Sequence, residues 1–135
     1  MKRMMQRRTG RSVVALLVVV AGVAAGCGGS DRDSGGARVE PVPADAPVLS
    51  VEATSFSFTP KTITVNAGQP YGLALHSENG IHDFVVDKGV GEIASANSGQ
   101  TVTRLLKVPK PGTYTFYCSI PGHRAAGMEG TLIVN

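Results

Sequence analysis

The chain has 135 residues, 17% charged side chains, 17 glycines, eight prolines, no tryptophan and a formal net charge of +3. That length and the lack of any long helical pattern bound it to one small domain with accessory segments. The positive charge is local: Lys2, Arg3, Arg7, Arg8 and Arg11 carry five of the 13 basic residues, which leaves eight against all ten acids from Cys27 onward, so no basic field remains to attract nucleic acid.

Met1 to Arg11 is a basic start, and Val13 to Ala25 is an uncharged run rich in Val, Ala and Leu. The run is shorter than the roughly 17–25 residues of a membrane-spanning helix. With the small residues Ala24, Ala25 and Gly26 after it, the pattern is that of a secretory signal peptide over residues 1–26. Ala24-Ala25-Gly26-Cys27 resembles the bacterial lipobox, with Ala24 where Leu is usual. That resemblance implies cleavage before Cys27, a lipid on Cys27 and attachment to a membrane. Arg7-Arg8 is followed by Thr9-Gly10-Arg11 and not by apolar residues, so the pair is a weak twin-arginine signal and the export route stays open. Residues 27–47 are Gly, Ser, Asp, Ala and Pro with almost no large apolar side chain, the composition of a flexible tether.

The folded domain is expected over residues 48–135. Val48 to Thr54 alternates. Ile63 and Val65 share one face of the next strand, and Tyr71, Leu73 and Leu75 one face of the one after. His82 to Val86 follows, then Gly89 to Gly99, small and polar, reads as a long loop. Gln100 to Val108 is a strand ended by Pro109-Lys110-Pro111-Gly112. Thr113 to Cys118 and Gly130 to Val134 are the last two. Seven to eight short strands without helices point to an all-β, Greek-key β-sandwich. Phe56 and Phe58, ahead of Pro60, are expected to plug one end of its core.

Tyr114, Phe116 and Cys118 point to one side of a strand, which aims Cys118 inward at the strand's end. The loop beyond it has the spacing Cys118-x4-His123-x4-Met128. Met128 is the sole methionine past the signal segment, Cys118 is the sole cysteine past Cys27, and His82 and His123 both flank strand ends. One thiolate, two imidazoles and one thioether are the donors of a trigonal His2Cys copper site with a weak axial Met. Zinc is a poor match, since its structural sites favour more cysteine. A disulfide between Cys27 and Cys118 is the lesser reading, because each cysteine has a local role.

The segment Phe116-Tyr117-Cys118-Ser119-Ile120-Pro121-Gly122-His123, with Gly127-Met128 after it, resembles the copper loop of the cupredoxins, the small blue copper proteins. Phe58 to Gly68 resembles their second-strand entry, and Gly80 to Asp87 their first-histidine segment. The resemblance spans residues 48–135. It implies one copper ion alternating between Cu(I) and Cu(II), held by His82, Cys118, His123 and Met128, in a monomeric electron carrier that is not an enzyme. Many cupredoxins have Asn after the first histidine, where this chain has Asp83; Asp83 either ties the two ligand loops together through Ser119 or is a solvated strand residue.

The expected role is single-electron transfer outside the cytoplasm, in the periplasm or at the outer face of the cell membrane. Pro121, Gly122, Ala125 and Ala126 would form a flat patch around His123 where a redox partner docks. Arg124 is expected to face solvent. A copper storage or delivery lipoprotein is the alternative; its mark would be Met or His on the tether, and residues 28–47 contain neither. A copper enzyme needs a second metal site, for which only His76 is spare.

Overall fold

The structure is a computed structural model that describes residues 40–135. The signal peptide expected over residues 1–26, Cys27, and the tether expected over 27–47 up to residue 39 lie outside the described residues.

Nine strands follow one another: β1 (Val48–Thr54), β2 (Ser57–Thr59), β3 (Thr62–Val65), β4 (Tyr71–Ser77), β5 (His82–Val86), β6 (Gly91–Ala96), β7 (Thr101–Leu106), β8 (Gly112–Tyr117) and β9 (Glu129–Val134). They form a four-stranded sheet ordered β2-β1-β4-β7 and a five-stranded sheet ordered β3-β9-β8-β5-β6. The pairs β1/β4 and β3/β9 are parallel and the others antiparallel. There is no helix among the described residues. This is the expected β-sandwich.

The two-residue period sets the core. Val51 and Ala53, Ile63 and Val65, Tyr71, Leu73 and Leu75, Phe84 and Val86, Tyr114 and Phe116, and Leu132 and Val134 are all buried, one face from each of six strands. Three aromatics from both sheets lock one end. Phe84 and Phe116 stack with centroids 4.6 Å apart, and Phe58 meets them edge-on at 5.8 and 5.4 Å. Such pairs contribute about 0.5–1.5 kcal/mol each beyond the area they bury.

Three expectations change. The stretch expected as a loop over Gly89 to Gly99 contains β6, an edge strand paired with β5 across a bulge at Phe84/Val85. Its buried residues are Ala94 and Ala96, which have little intrinsic strand preference, so the pairing and the packing decide. Ser57–Thr59 forms a short strand against β1. Phe58 is a core plug as expected, whereas Phe56 is 48% exposed in the β1–β2 turn.

Ahead of β1 the chain is already engaged with the sheet. The Ala46 N–H donates to the Pro43 carbonyl and the Gly72 N–H to the Pro47 carbonyl. A Cβ on Gly72 would come within 3.2 Å of Val42 Cγ1, so the glycine leaves room for that side chain.

Gly130 in β9 lies opposite Phe116, and a Cβ there would overlap the Phe116 ring and the Lys61 carbonyl oxygen. Backbone cannot yield as a flexible side chain does, so Gly130→Ala is expected to cost about 1–3 kcal/mol. For a domain of this size thermal unfolding should fall by about 4 °C or more. An unchanged melting temperature would contradict the packing described.

Candidate metal centre

His82 opens β5, after a turn that closes β4. Ser77, buried at the end of β4, donates its hydroxyl to the Gly80 carbonyl at 3.0 Å and so shapes that turn. His82, Phe84 and Val86 share the inward face of β5, which leaves Asp83 on the other. β5 pairs with β8 through Val85–Tyr117 and Val86–Phe116. Continuing that register places Asp83 opposite Ser119, the residue after Cys118.

The carboxylate of Asp83 uses this position. Oδ1 accepts from the Ser119 N–H at 2.5 Å, and Oδ2 accepts from the Ser119 hydroxyl. Asp83 is buried, so of its two readings the tie holds and the solvated one does not. It joins the histidine-bearing strand to the cysteine-bearing loop one residue past each donor.

The loop after β8 closes on itself. The Cys118 N–H donates to the Met128 carbonyl at 3.1 Å, and the Met128 N–H donates to the His123 carbonyl at 3.1 Å. The His123 N–H donates to the Ile120 carbonyl at 3.0 Å. Gly127 has φ +98, a left-handed backbone that lets the chain turn into Met128 without a Cβ clash. Met128 is fully buried at the base of the loop.

Three donors converge. Cys118 Sγ lies 3.9 Å from His82 Nδ1 and 3.4 Å from His123 Nδ1. The ligand atoms of His82, Cys118 and His123 all fall within 4.8 Å of one another. A trigonal first-row metal, with metal–nitrogen bonds near 2.0 Å and a metal–sulfur bond near 2.3 Å, has nitrogen–sulfur edges of about 3.7 Å. The two observed separations bracket that value, so the three residues could hold one such ion between them. Thiolate and imidazole suit copper, and Met128, bonded through its backbone to Cys118 and His123, is the thioether of the same loop.

Burial governs the electrostatics. It lowers the pKa of His82, partly offset by the Asn79 backbone, and the neighbouring His123 lowers it further. It raises the pKa of the Cys118 thiol, against the backbone N–H groups of Asp83 and Ile120, which favour the thiolate; the Asp83 carboxylate adds to the rise. His82 is therefore a neutral imidazole and Cys118 a protonated thiol near neutral pH. The second ring nitrogen of His82, Nε2, is buried without a hydrogen-bond partner beside the Gly80 turn.

At the surface, His123 is half-buried, and Pro121, Gly122, Ala125 and Ala126 around it are exposed, as are Ile81 and Phe56. Arg124 faces solvent, as expected. Its guanidinium lies 3.9 Å over the Tyr117 ring and pairs with Glu129 at 3.2 Å. His76 stands apart on β4, its Nδ1 2.9 Å from the Thr101 hydroxyl. The contact that sequence reasoning missed is Phe56, whose ring meets that of His123. The signal present was an aromatic residue inside a tight turn.

Comparison with known proteins agrees with this geometry. Residues 46–135 match the family described as copper binding proteins, plastocyanin/azurin family. The chain is similar to plastocyanin of Dryopteris crassirhizoma, 36% identical over 97 residues that cover 62% of this chain and 92% of the relative. It is 25% identical to Auracyanin-A of Chloroflexus aurantiacus, across 91% of this chain and 95% of the relative. Among solved structures, dithionite-reduced auracyanin of Roseiflexus castenholzii aligns with a TM-score of 0.58 at 23% identity, covering 67% of this chain and 98% of that one, a likeness of fold.

A metal that binds the thiolate must displace the thiol proton. Uptake of Cu(II) at neutral pH is expected to release about one proton per ion and to strengthen as pH rises toward the thiol pKa. Titration calorimetry in two buffers of different ionisation enthalpy measures this. Equal apparent enthalpies would show that no proton leaves.

Proposed function

Because the chain belongs to the plastocyanin/azurin family of copper-binding proteins, we propose that it holds one copper ion through His82, Cys118, His123 and Met128 and carries single electrons between redox partners outside the cytoplasm. The observation that carries this reading is the buried Cys118 sulfur set between two imidazole nitrogens. Copper bound there supplies the one-electron Cu(I)/Cu(II) couple.

The chain's own residues do the rest. Cys118 and His82 are donors fixed on the sandwich and closed to water. Met128, whose backbone is bonded to those of Cys118 and His123, would supply a weak thioether donor. Asp83 holds the two donor-bearing elements together, so that either charge on the ion meets the same cage. His123 is the donor that reaches the surface, and its uncharged rim lets a partner come close. An interface there would be small and short-lived, as electron-transfer encounters are.

The names of the similar proteins, plastocyanin and auracyanin, support a carrier. Delivery of copper is disfavoured by the burial of His82, Cys118 and Met128, which opposes rapid exchange of the ion. An enzyme would need a second copper with further histidines, and His76 is engaged with Thr101 in the other sheet. We read residues 1–26 as a signal peptide, Cys27 as the lipid-bearing residue and residues 27–47 as the tether, its last residues from Val42 to Pro47 already lying against the sheet, with the protein a monomer at the outer face of the cell membrane or in the periplasm.

Two measurements test this. Cu(II) added to the purified protein should give an intense visible absorption from thiolate-to-copper charge transfer, and Cys118→Ser should abolish it; a colourless protein with an intact thiol would sink the reading. Mass analysis of the exported protein should place a lipid on an N-terminal Cys27, with Cys27→Ala releasing the chain from membranes. An unlipidated, soluble wild type would remove the anchor and leave the copper reading standing.

A further inference from the structure

Phe56 occupies the second position of the two-residue turn between β1 and β2, where Thr54 pairs with Ser57. Its φ is +63, a left-handed backbone that suits Gly or Asn and that bulky side chains seldom adopt. The residue is 48% exposed, so core burial does not account for it either. Local preference and the hydrophobic effect both argue against a phenylalanine here.

What the ring does meet is His123. The two centroids are 5.3 Å apart and the planes stand at 87°, an edge-to-face pair. The other ring neighbour of His123 is His82, 5.0 Å away and tilted by 51°. His82 and Cys118 are buried on strand ends, whereas His123 is half-buried on a loop. Of the three converging donors it is the one with most freedom to turn. The loop belongs between β8 and β9 of the five-stranded sheet, and Phe56 reaches it from the four-stranded one.

We propose that Phe56 is a positioning residue for His123: the β1–β2 turn adopts an unfavourable backbone so that an aromatic ring can hold the half-exposed imidazole in its ligating orientation. This rests on the reading of His123 as a metal donor and goes beyond it. The ring limits rotation of the imidazole before the metal arrives and slows its departure afterwards. It also joins the two sheets across the mouth of the centre, so a change in the turn is felt at the donor.

The proposal makes stability and site behaviour respond differently to one substitution. In the full chain, Phe56→Gly removes the ring and relaxes the turn, since glycine accepts this φ. Metal-free protein should keep or gain thermal stability. Its His123 ring resonances should nevertheless lose the ring-current shift and show averaging between orientations by NMR. Copper release to a chelator should be about threefold to tenfold faster, the weight of one edge-to-face pair. Phe56→Tyr keeps the ring and should behave as wild type in all three measurements.

A Phe56→Gly protein that is less stable yet has unchanged His123 resonances and unchanged copper release would overturn the proposal and make the ring simple packing. So would a Phe56→Tyr protein that behaves like Phe56→Gly. Should the wild type bind no copper, the electron-carrier reading fails, while the metal-free NMR comparison still decides whether Phe56 orients His123.

Discussion

The tie between buried Asp83 and Ser119 is the constraint on which the centre rests. A carboxylate out of water must find donors, and the strand register offers two from one residue, the Ser119 N–H and hydroxyl. Asp83 follows His82 and Ser119 follows Cys118, so the tie acts one residue from each donor. Breaking it would leave a buried polar group unpaired, at about 1–3 kcal/mol, and would free the loop from the strand. The same sandwich end carries the stacked Phe84 and Phe116 and the edge-on Phe58. Rigid packing below and a satisfied polar tie beside the donors make a cage that two oxidation states can share.

Much of this was legible in the sequence, for reasons that can be named. The two-residue period in Tyr114, Phe116 and Cys118 aimed the thiol inward, and all three are buried. The inventory of one loop cysteine, one methionine and two strand-end histidines narrowed the metal chemistry before any geometry was known. Where the sequence left Asp83 open, the strand register decided: its neighbour across β8 is Ser119, and cross-strand neighbours cannot be read from one chain segment alone.

What was not legible depended on interactions distant in sequence. Gly91–Ala96 pairs with β5 although its glycine and alanines carry little strand preference. Phe56 was read as apolar and therefore internal, but the turn turns it outward onto His123. In each instance a tertiary partner outweighed a local tendency that sequence reasoning had followed.

The donors stand ready before the metal binds. The most direct measurement is a pair of crystal structures, metal-free and copper-loaded. Copper is expected between His82 Nδ1, Cys118 Sγ and His123 Nδ1, with the Asp83–Ser119 bonds intact in both and the donors displaced by no more than about 0.5 Å. Copper bound elsewhere, or a loop that must rebuild to receive it, would show that the centre is not preformed.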